Sequence, residues 1–319
     1  MNIKQSLKSL ISTFWSFVKQ DFRWATYAYA LAFIFVCIFI NYYFGFAEKV
    51  LRPTYFSGNS MWVYSLFYIF IYFAVAIPIL FIEKDYKTLK NYRFYLKVLF
   101  FIAIYGVSIG YYEYRNWSFS ELSHLERHFV IRVLSQLKSL VFIVVPLIFL
   151  KIFIDRKNVS GFYGLSWSSK HLDAYLLLFL LLLPFLIITS FTPDFLRAYP
   201  QFRPWLYEDI FGLSTWTRTL IFETAYSLDF VVVELFFRGA LIIGLVSIMG
   251  PKTILPMVAF YAAIHFGKPA LETISSVFGG YILGVLAYQT KHIWGGIIVH
   301  IAIALTMEVM GFIQYYLLK

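Results

Sequence analysis

Long apolar runs separated by short clusters of charge divide this chain. They fall at about 24 to 46, 61 to 82, 95 to 112, 131 to 154, 173 to 192, 218 to 249, 253 to 266, 271 to 289 and 292 to 317. Most approach the ~20 apolar residues an α-helix needs to cross a bilayer. Lipid offers no hydrogen-bond partners, so each backbone group in such a run must be satisfied inside its own helix. The pattern predicts an all-α fold: a polytopic transmembrane helical bundle of eight to nine spans. Two stretches govern the count. The run 218 to 249 is long enough for a lead-in helix plus a span. The run 253 to 266 is short and ends at HFGKP, where Gly267 and Pro269 stop a helix.

Residues 1 to 23 follow another pattern. Ile3, Leu7, Leu10, Ile11, Phe14 and Val18 recur at helical spacing, with Lys4, Lys8, Ser9, Ser12 and Lys19 around the rest of the wheel. This predicts an amphipathic cytoplasmic helix lying in the bilayer interface. No short apolar core with a small-residue cleavage site follows it, so the first run is expected to remain as an anchor. The expected organisation is an amphipathic helix at 1–23, N-terminal transmembrane spans over 24–200 and a final group of helices over 210–319. With the N-terminus inside, fifteen Lys and Arg residues fall on inner segments against ten on outer ones, among them Lys84, Lys87, Lys90, Lys97, Lys151, Lys157, Lys170, Lys252 and Lys291. That is the basic bias of cytoplasmic loops.

Composition fixes the class. At 61% hydrophobic, 22% aromatic and 14% charged, with a mean hydropathy of +0.73, the 319 residues lack the polar surface to cover a soluble globule. The single Cys37 provides neither a disulfide framework nor a cysteine metal site. The net charge of +10 is spread between apolar runs, as membrane insertion requires, and no soluble domain is left to bind nucleic acid. No internal repeat of the kind that marks many transporters is visible, and no continuous polar path.

Four ionisable residues stand inside the last apolar third: Glu234 and Arg238 in ELFFRG, His265 in FYAAIHFGKP and His300 in GGIIVHIAIAL. Each has a bland reading. Glu234 and Arg238 at i and i+4 can neutralise one another on one helix face, and a lone histidine is often a satisfied core residue. Depth argues otherwise. Counted at ~1.5 Å per residue, Glu234 lies roughly 24 Å, His265 roughly 18 Å and His300 roughly 13 Å from the proposed cytoplasmic ends, so all three fall within a ~30 Å hydrocarbon core. Ionisable groups there are costly unless paired, which makes a functional site the default reading. Gly279, Gly280, Gly284, Gly295 and Gly296 offer small faces for close helix approach. A carboxylate and imidazoles in a tight apolar chamber can form a general base and an oxyanion site. His124 and His128 in HLERH lack the HExxH order and read as solvated side chains at a helix end. Glu223 and Glu272 read as interfacial or helix-terminal.

ELFFRG, then YAAIH, then FGGYILGVLAYQTKHIWGGIIVH, in that order, resemble the CPBP family of intramembrane proteases, which includes type II CAAX prenyl endopeptidases and bacteriocin-processing and immunity proteins. The resemblance covers about 100 C-terminal residues and identifies 210–319 as its catalytic-core helices. It implies an intramembrane endopeptidase that hydrolyses a peptide bond of a membrane-associated protein or peptide, in a multi-pass protein of a bacterial inner membrane. By position, Glu234 and Arg238 fill the second-glutamate and arginine places, Tyr261 stands where phenylalanine is usual, and His265 and His300 fill both histidine places. Val233 stands in the place of the first glutamate, thought in the family to activate water with the first histidine. Ala304 stands in the place of an asparagine thought to help the second histidine stabilise the oxyanion. Asp229 and Glu308 lie one helical turn from those two positions and are candidates for a relocated constellation. The family carries a metalloprotease label, so zinc held by His265, His300 and Glu234 is one route and a metal-free glutamate-driven attack the other. The alternative to an enzyme is an inactive scaffold, regulator or immunity protein, for which Val233 and Ala304 speak.

Overall fold

A computed structural model of the chain describes residues 3–117, 119–156, 159, 161–166 and 172–317; Lys157 and Lys170 lie outside the described residues. All regular structure among the described residues is helical. The ten longer helices among the described residues are α1 (Ile3–Asp21), α2 (Trp24–Phe44), α3 (Ser60–Ile82), α4 (Tyr92–Gly110), α5 (His124–Phe153), α6 (Leu172–Thr189), α7 (Thr215–Glu234), α8 (Ile254–Ala263), α9 (Ala270–Thr290) and α10 (Trp294–Leu317). Helix α7 runs on without a break as a π-helix over Leu235–Ile243.

Seven helical segments among the described residues are long and apolar enough to cross a membrane, fewer than the eight to nine expected. The shortfall has a physical origin. The apolar part of α6, Tyr175–Thr189, contains Pro184, and at 15 residues it spans ~22 Å, less than a ~30 Å core. The runs at 218 to 249 and 253 to 266 count as one 49-residue segment, Thr215–Ala263. At ~74 Å that segment cannot be a single crossing. It is interrupted by a turn at Gly244 and Leu245 and by Gly250, whose φ of +59° suits glycine. Beyond that break α8 has only 10 residues before the turn at 264–267.

Loop contacts gather at two ends. At one, Lys252 Nζ lies 2.7 Å from Asp85 Oδ2, Lys97 Nζ lies 2.6 Å from Asp155 Oδ2, and Thr26 donates to Glu83. Burial alone would raise the Asp85 carboxyl, but the Lys252 ammonium and the Thr88 N–H and hydroxyl outweigh it and hold it below the usual carboxylate range. At the other end Asn41 donates to the Phe266 carbonyl, Tyr42 to the Lys268 carbonyl and Tyr199 to Glu272. Helix α1 packs by Phe17 on Tyr288 and by Phe14 on Tyr281, both on α9, and leaves Ile11 and Trp15 exposed.

The core is aromatic and sits against the π-helix, where all nine residues are buried. Tyr105 of α4 and Phe260 of α8 pack with Phe236 and Phe237, with ring centroids 4.6 to 5.3 Å apart for the Tyr105 contacts to Phe236, Phe237 and Phe260, and Tyr68 of α3 packs on Tyr105 and Phe260. Helices α3 and α4 approach closely through Gly106 and Gly110, a GxxxG pattern. Ser60 Oγ donates 2.5 Å to the Gly110 carbonyl. Of the glycines expected to thin helix faces, Gly280 and Gly284 do so against Tyr261 and Met257, whereas Gly279 faces open space.

A Cβ at Gly110 would overlap the Met61 backbone, whereas one at Gly279 meets nothing within 4 Å. Gly110→Ala is therefore expected to reduce the monodisperse peak in detergent size-exclusion chromatography severalfold, with Gly279→Ala at the parent level. Equal yields would show that α3 and α4 separate without cost.

Candidate active site

Glu234 ends the α-helical part of α7, and Arg238 follows one turn later inside the π-helix. Single π-turns inside longer helices concentrate at functional sites. Both side chains are almost wholly removed from solvent, at 0% and 1% exposure, and Arg238 Nη1 lies 2.9 Å from Glu234 Oε1. That is an ion-pair distance without hydrogen-bond alignment: the guanidinium N–H groups find no acceptor among the described residues, and Glu234 Oε2 finds no donor. Arg238 is compensated instead by the face of Tyr261, with Cζ 4.3 Å from the ring centroid.

Glu234 Oε1 has a second partner 66 residues away. His300 Nδ1 on α10 lies 2.9 Å from it. A carboxylate beside a guanidinium can only accept, so His300 donates from Nδ1, and the tautomer that carries its single proton there leaves Nε2 free to accept. Gly296 makes the contact attainable, because a Cβ there would stand 2.5 Å from Glu234 Oε2. The bare Nε2 faces the Tyr261 hydroxyl at 3.4 Å, and the ring of Phe230 lies 4.4 Å from the imidazole.

His265 reaches the same place from the turn that follows α8. Its Nδ1 lies 2.8 Å from the Tyr261 carbonyl, one turn back, which again fixes the proton on Nδ1 and leaves Nε2 bare. Thr273 Oγ1 donates 2.7 Å to the His265 carbonyl and ties the turn after α8 to the start of α9. The His265 ring stands edge-on to Tyr261 at 4.8 Å, and that of His300 at 6.3 Å. Glu234, Arg238, His265 and His300 thus converge around Tyr261. Clefts of about 280 Å³ beside Pro200 and Trp205 and of about 170 Å³ beside Asn41 and Lys268 are lined by other residues.

The hydrogen bonds of the other candidates lead away from this cluster. Asp229 accepts from Ser139 Oγ at 2.6 Å. Glu308, 1% exposed, accepts from the backbone N–H groups of Gln201 at 2.8 Å and Phe202 at 3.3 Å. Val233 is half-buried against the core, and Ala304 is enclosed by Phe129, Phe202, Tyr207, Phe222 and Tyr226. Glu223, read from sequence as interfacial, is a partly buried side chain whose oxygens meet no donor among the described residues. His128 stacks on Tyr207 and bonds its hydroxyl at 2.8 Å. No group of three His, Cys, Asp or Glu side chains among the described residues gathers closely enough to hold a metal, so His265, His300 and Glu234 do not fit as a zinc set. The participation of the Tyr261 hydroxyl went unread because a tyrosine on an apolar helix reads as packing.

If Arg238 neutralises Glu234, Arg238→Ala leaves a buried carboxylate short of its cation, at a cost of about 3 to 5 kcal/mol. Folded yield in the membrane should fall sharply, and Glu234→Gln with Arg238→Met should recover part of it. A double variant no better than Arg238→Ala counts against the pair. Gly296→Ala should also lower thermal stability, by displacing the Glu234 carboxylate, and combining it with Glu234→Ala should relieve the loss.

No curated protein and no solved structure matches the chain. One family model does, over the segment that contains Glu234, Arg238, Tyr261, His265 and His300, and its description is type II CAAX prenyl endopeptidase Rce1-like. Residues 215–306 of this chain are therefore a domain of the Rce1-like type II CAAX prenyl endopeptidase (CPBP) family.

Proposed function

We propose that this multi-pass membrane protein is an intramembrane endopeptidase that hydrolyses a peptide bond in a membrane-associated protein or peptide. In this reading residues 210–319 hold the chemistry, the spans within 24–200 frame it, and α1 rests its exposed Ile11 and Trp15 in the bilayer interface. One observation carries the proposal: a histidine whose Nδ1 is held by a buried carboxylate, 2.9 Å away, so that the tautomer protonated there turns Nε2 into an acceptor. A carboxylate in that position sets the tautomer and stabilises the imidazolium that forms when Nε2 takes a proton.

The catalytic cycle follows from that geometry. Water attacks the scissile carbonyl carbon as its proton passes to His300 Nε2, and the carbonyl π electrons move onto oxygen. The imidazolium then returns the proton to the leaving nitrogen as the C–N bond breaks, giving an acid and an amine. His265 Nε2 accepts a hydrogen bond from the second O–H of the attacking water, which keeps that proton, and so orients it. Arg238 keeps Glu234 ionised without touching substrate. This division of labour differs from the family pattern because Val233 has no proton to exchange and Ala304 no hydrogen bond to donate.

Those two apolar residues favour a second reading, a silent scaffold or regulator. The experiment that separates the two compares membrane-protein fragments in cells with the parent protein, without it, and with His300→Ala or His265→Ala. A protease predicts that each substitution reproduces the deletion pattern while protein level stays within about twofold. If deletion alters the pattern and both variants restore the parent pattern, the scaffold reading holds and the catalytic one fails.

A further inference from the structure

The hydroxyl of Tyr261 needs an explanation that packing does not supply. Its ring fills space between Phe237, His265, the Arg238 guanidinium and the face opened by Gly280. A phenylalanine ring would fill the same space. The hydroxyl adds a buried polar group, in a residue only 5% exposed, whose hydrogen bond to His300 Nε2 is long at 3.4 Å. Burying a donor behind so weak a bond costs stability compared with an apolar ring. It is also aimed at the nitrogen that takes the proton in the proposed chemistry.

We infer that Tyr261 is the oxyanion donor of this site. The inference rests on the peptidase reading above and adds a residue to it. In the resting state the phenol O–H points at His300 Nε2, because Nδ1 is already committed to Glu234 and the bare nitrogen can only accept. A substrate carbonyl and a water entering between them separate the two. Water takes the place at Nε2, and the O–H turns to the carbonyl oxygen. As water adds to the carbonyl carbon, its proton goes to Nε2 and the π electron pair goes to oxygen, where the phenol donates a hydrogen bond without giving up its proton. Collapse of the intermediate returns that electron pair to the C=O bond and expels the amine, protonated from Nε2.

Two neighbours tune the phenol for this task. The guanidinium 4.3 Å over the ring withdraws electron density and strengthens the O–H as a donor. The bond from His265 Nδ1 to the Tyr261 carbonyl fixes the helical turn that carries the ring, so the donor is held before substrate arrives. Other neighbours leave this role to Tyr261: Ala304 has no donor, and the hydrogen bonds of Glu308 lead to Gln201 and Phe202.

The test is Tyr261→Phe in the full chain reconstituted in lipid nanodiscs, beside the parent and His300→Ala. The probe is a peptide spanning a cleavage point found by the fragment comparison. Removing one oxyanion donor lowers kcat by about 100- to 1,000-fold, so a loss of that order with KM within about threefold and thermal stability at or above the parent's is expected. Nitrogen NMR of isotope-labelled histidine gives a readout free of substrate: Tyr261→Phe should move the His300 Nε2 resonance and leave that of His265 in place. A Tyr261→Phe protein with near-parent kcat beside a dead His300→Ala overturns the Tyr261 role and leaves the peptidase reading standing. Full activity of His300→Ala, or no fragment that depends on the chain, removes both. An unmoved Nε2 resonance shows that the phenol does not serve that nitrogen and also overturns the inference.

Discussion

One carboxylate with no solvent exposure organises the C-terminal helices. An unpaired charge at that depth would be prohibitive, so Glu234 requires a cation and a donor, and the fold delivers them from two directions. Arg238 comes from the same helix, one turn on, and His300 from α10. Each partner brings demands of its own. The guanidinium needs a ring to face, met by Tyr261, and the imidazole needs its helix close enough to reach, met by the absent side chain at Gly296. The fully buried π-helix, packed among Tyr105, Phe260 and their neighbours, keeps that geometry from relaxing.

What could be read in the chain beforehand was mostly local. The Glu234 and Arg238 pair follows from a spacing of four on one helix, and the all-helical fold follows from apolar runs in a medium without hydrogen-bond partners. The meeting of Glu234 with His300 spans 66 residues, and only the order of the three motifs hinted at it. The partners of Glu308, read from sequence as a candidate site residue, could not be read there, because they are backbone N–H groups of Gln201 and Phe202, which no side-chain pattern reveals. The span count exceeded the seven long apolar helices because hydropathy registers an apolar run whether or not its helix is long enough to cross. Pro184 within α6 and the breaks around Gly244 and Gly250 decide that.

The two departures from the family pattern have different structural consequences. Val233, half-buried, packs against the apolar core beside Glu234, so an apolar side chain stands next to the buried acid. Ala304 forms the floor of an aromatic nest filled from the 199–211 segment by Phe202 and Tyr207. Phe202 stacks on Phe222, Phe222 on Tyr226, Tyr226 meets Phe230 edge-on, and Phe230 lies against His300. The aromatic content of the chain therefore does more here than anchor helix ends. A file of rings joins the loop to the imidazole.

Glu308 gives that file a mechanical meaning. It sits on α10 eight residues beyond His300, and its carboxylate grips two consecutive N–H groups of the 199–211 segment, while Arg132 of α5 donates to the Gln201 carbonyl between them. A smooth apolar helix can slide along its axis or turn about it at little cost, and a slip of one residue would swing His300 by ~100° away from Glu234. The grip at Gln201 and Phe202 acts as a detent on that motion. It sets the axial and rotational register of the helix from outside the apolar core, so that the imidazole arrives facing the acid.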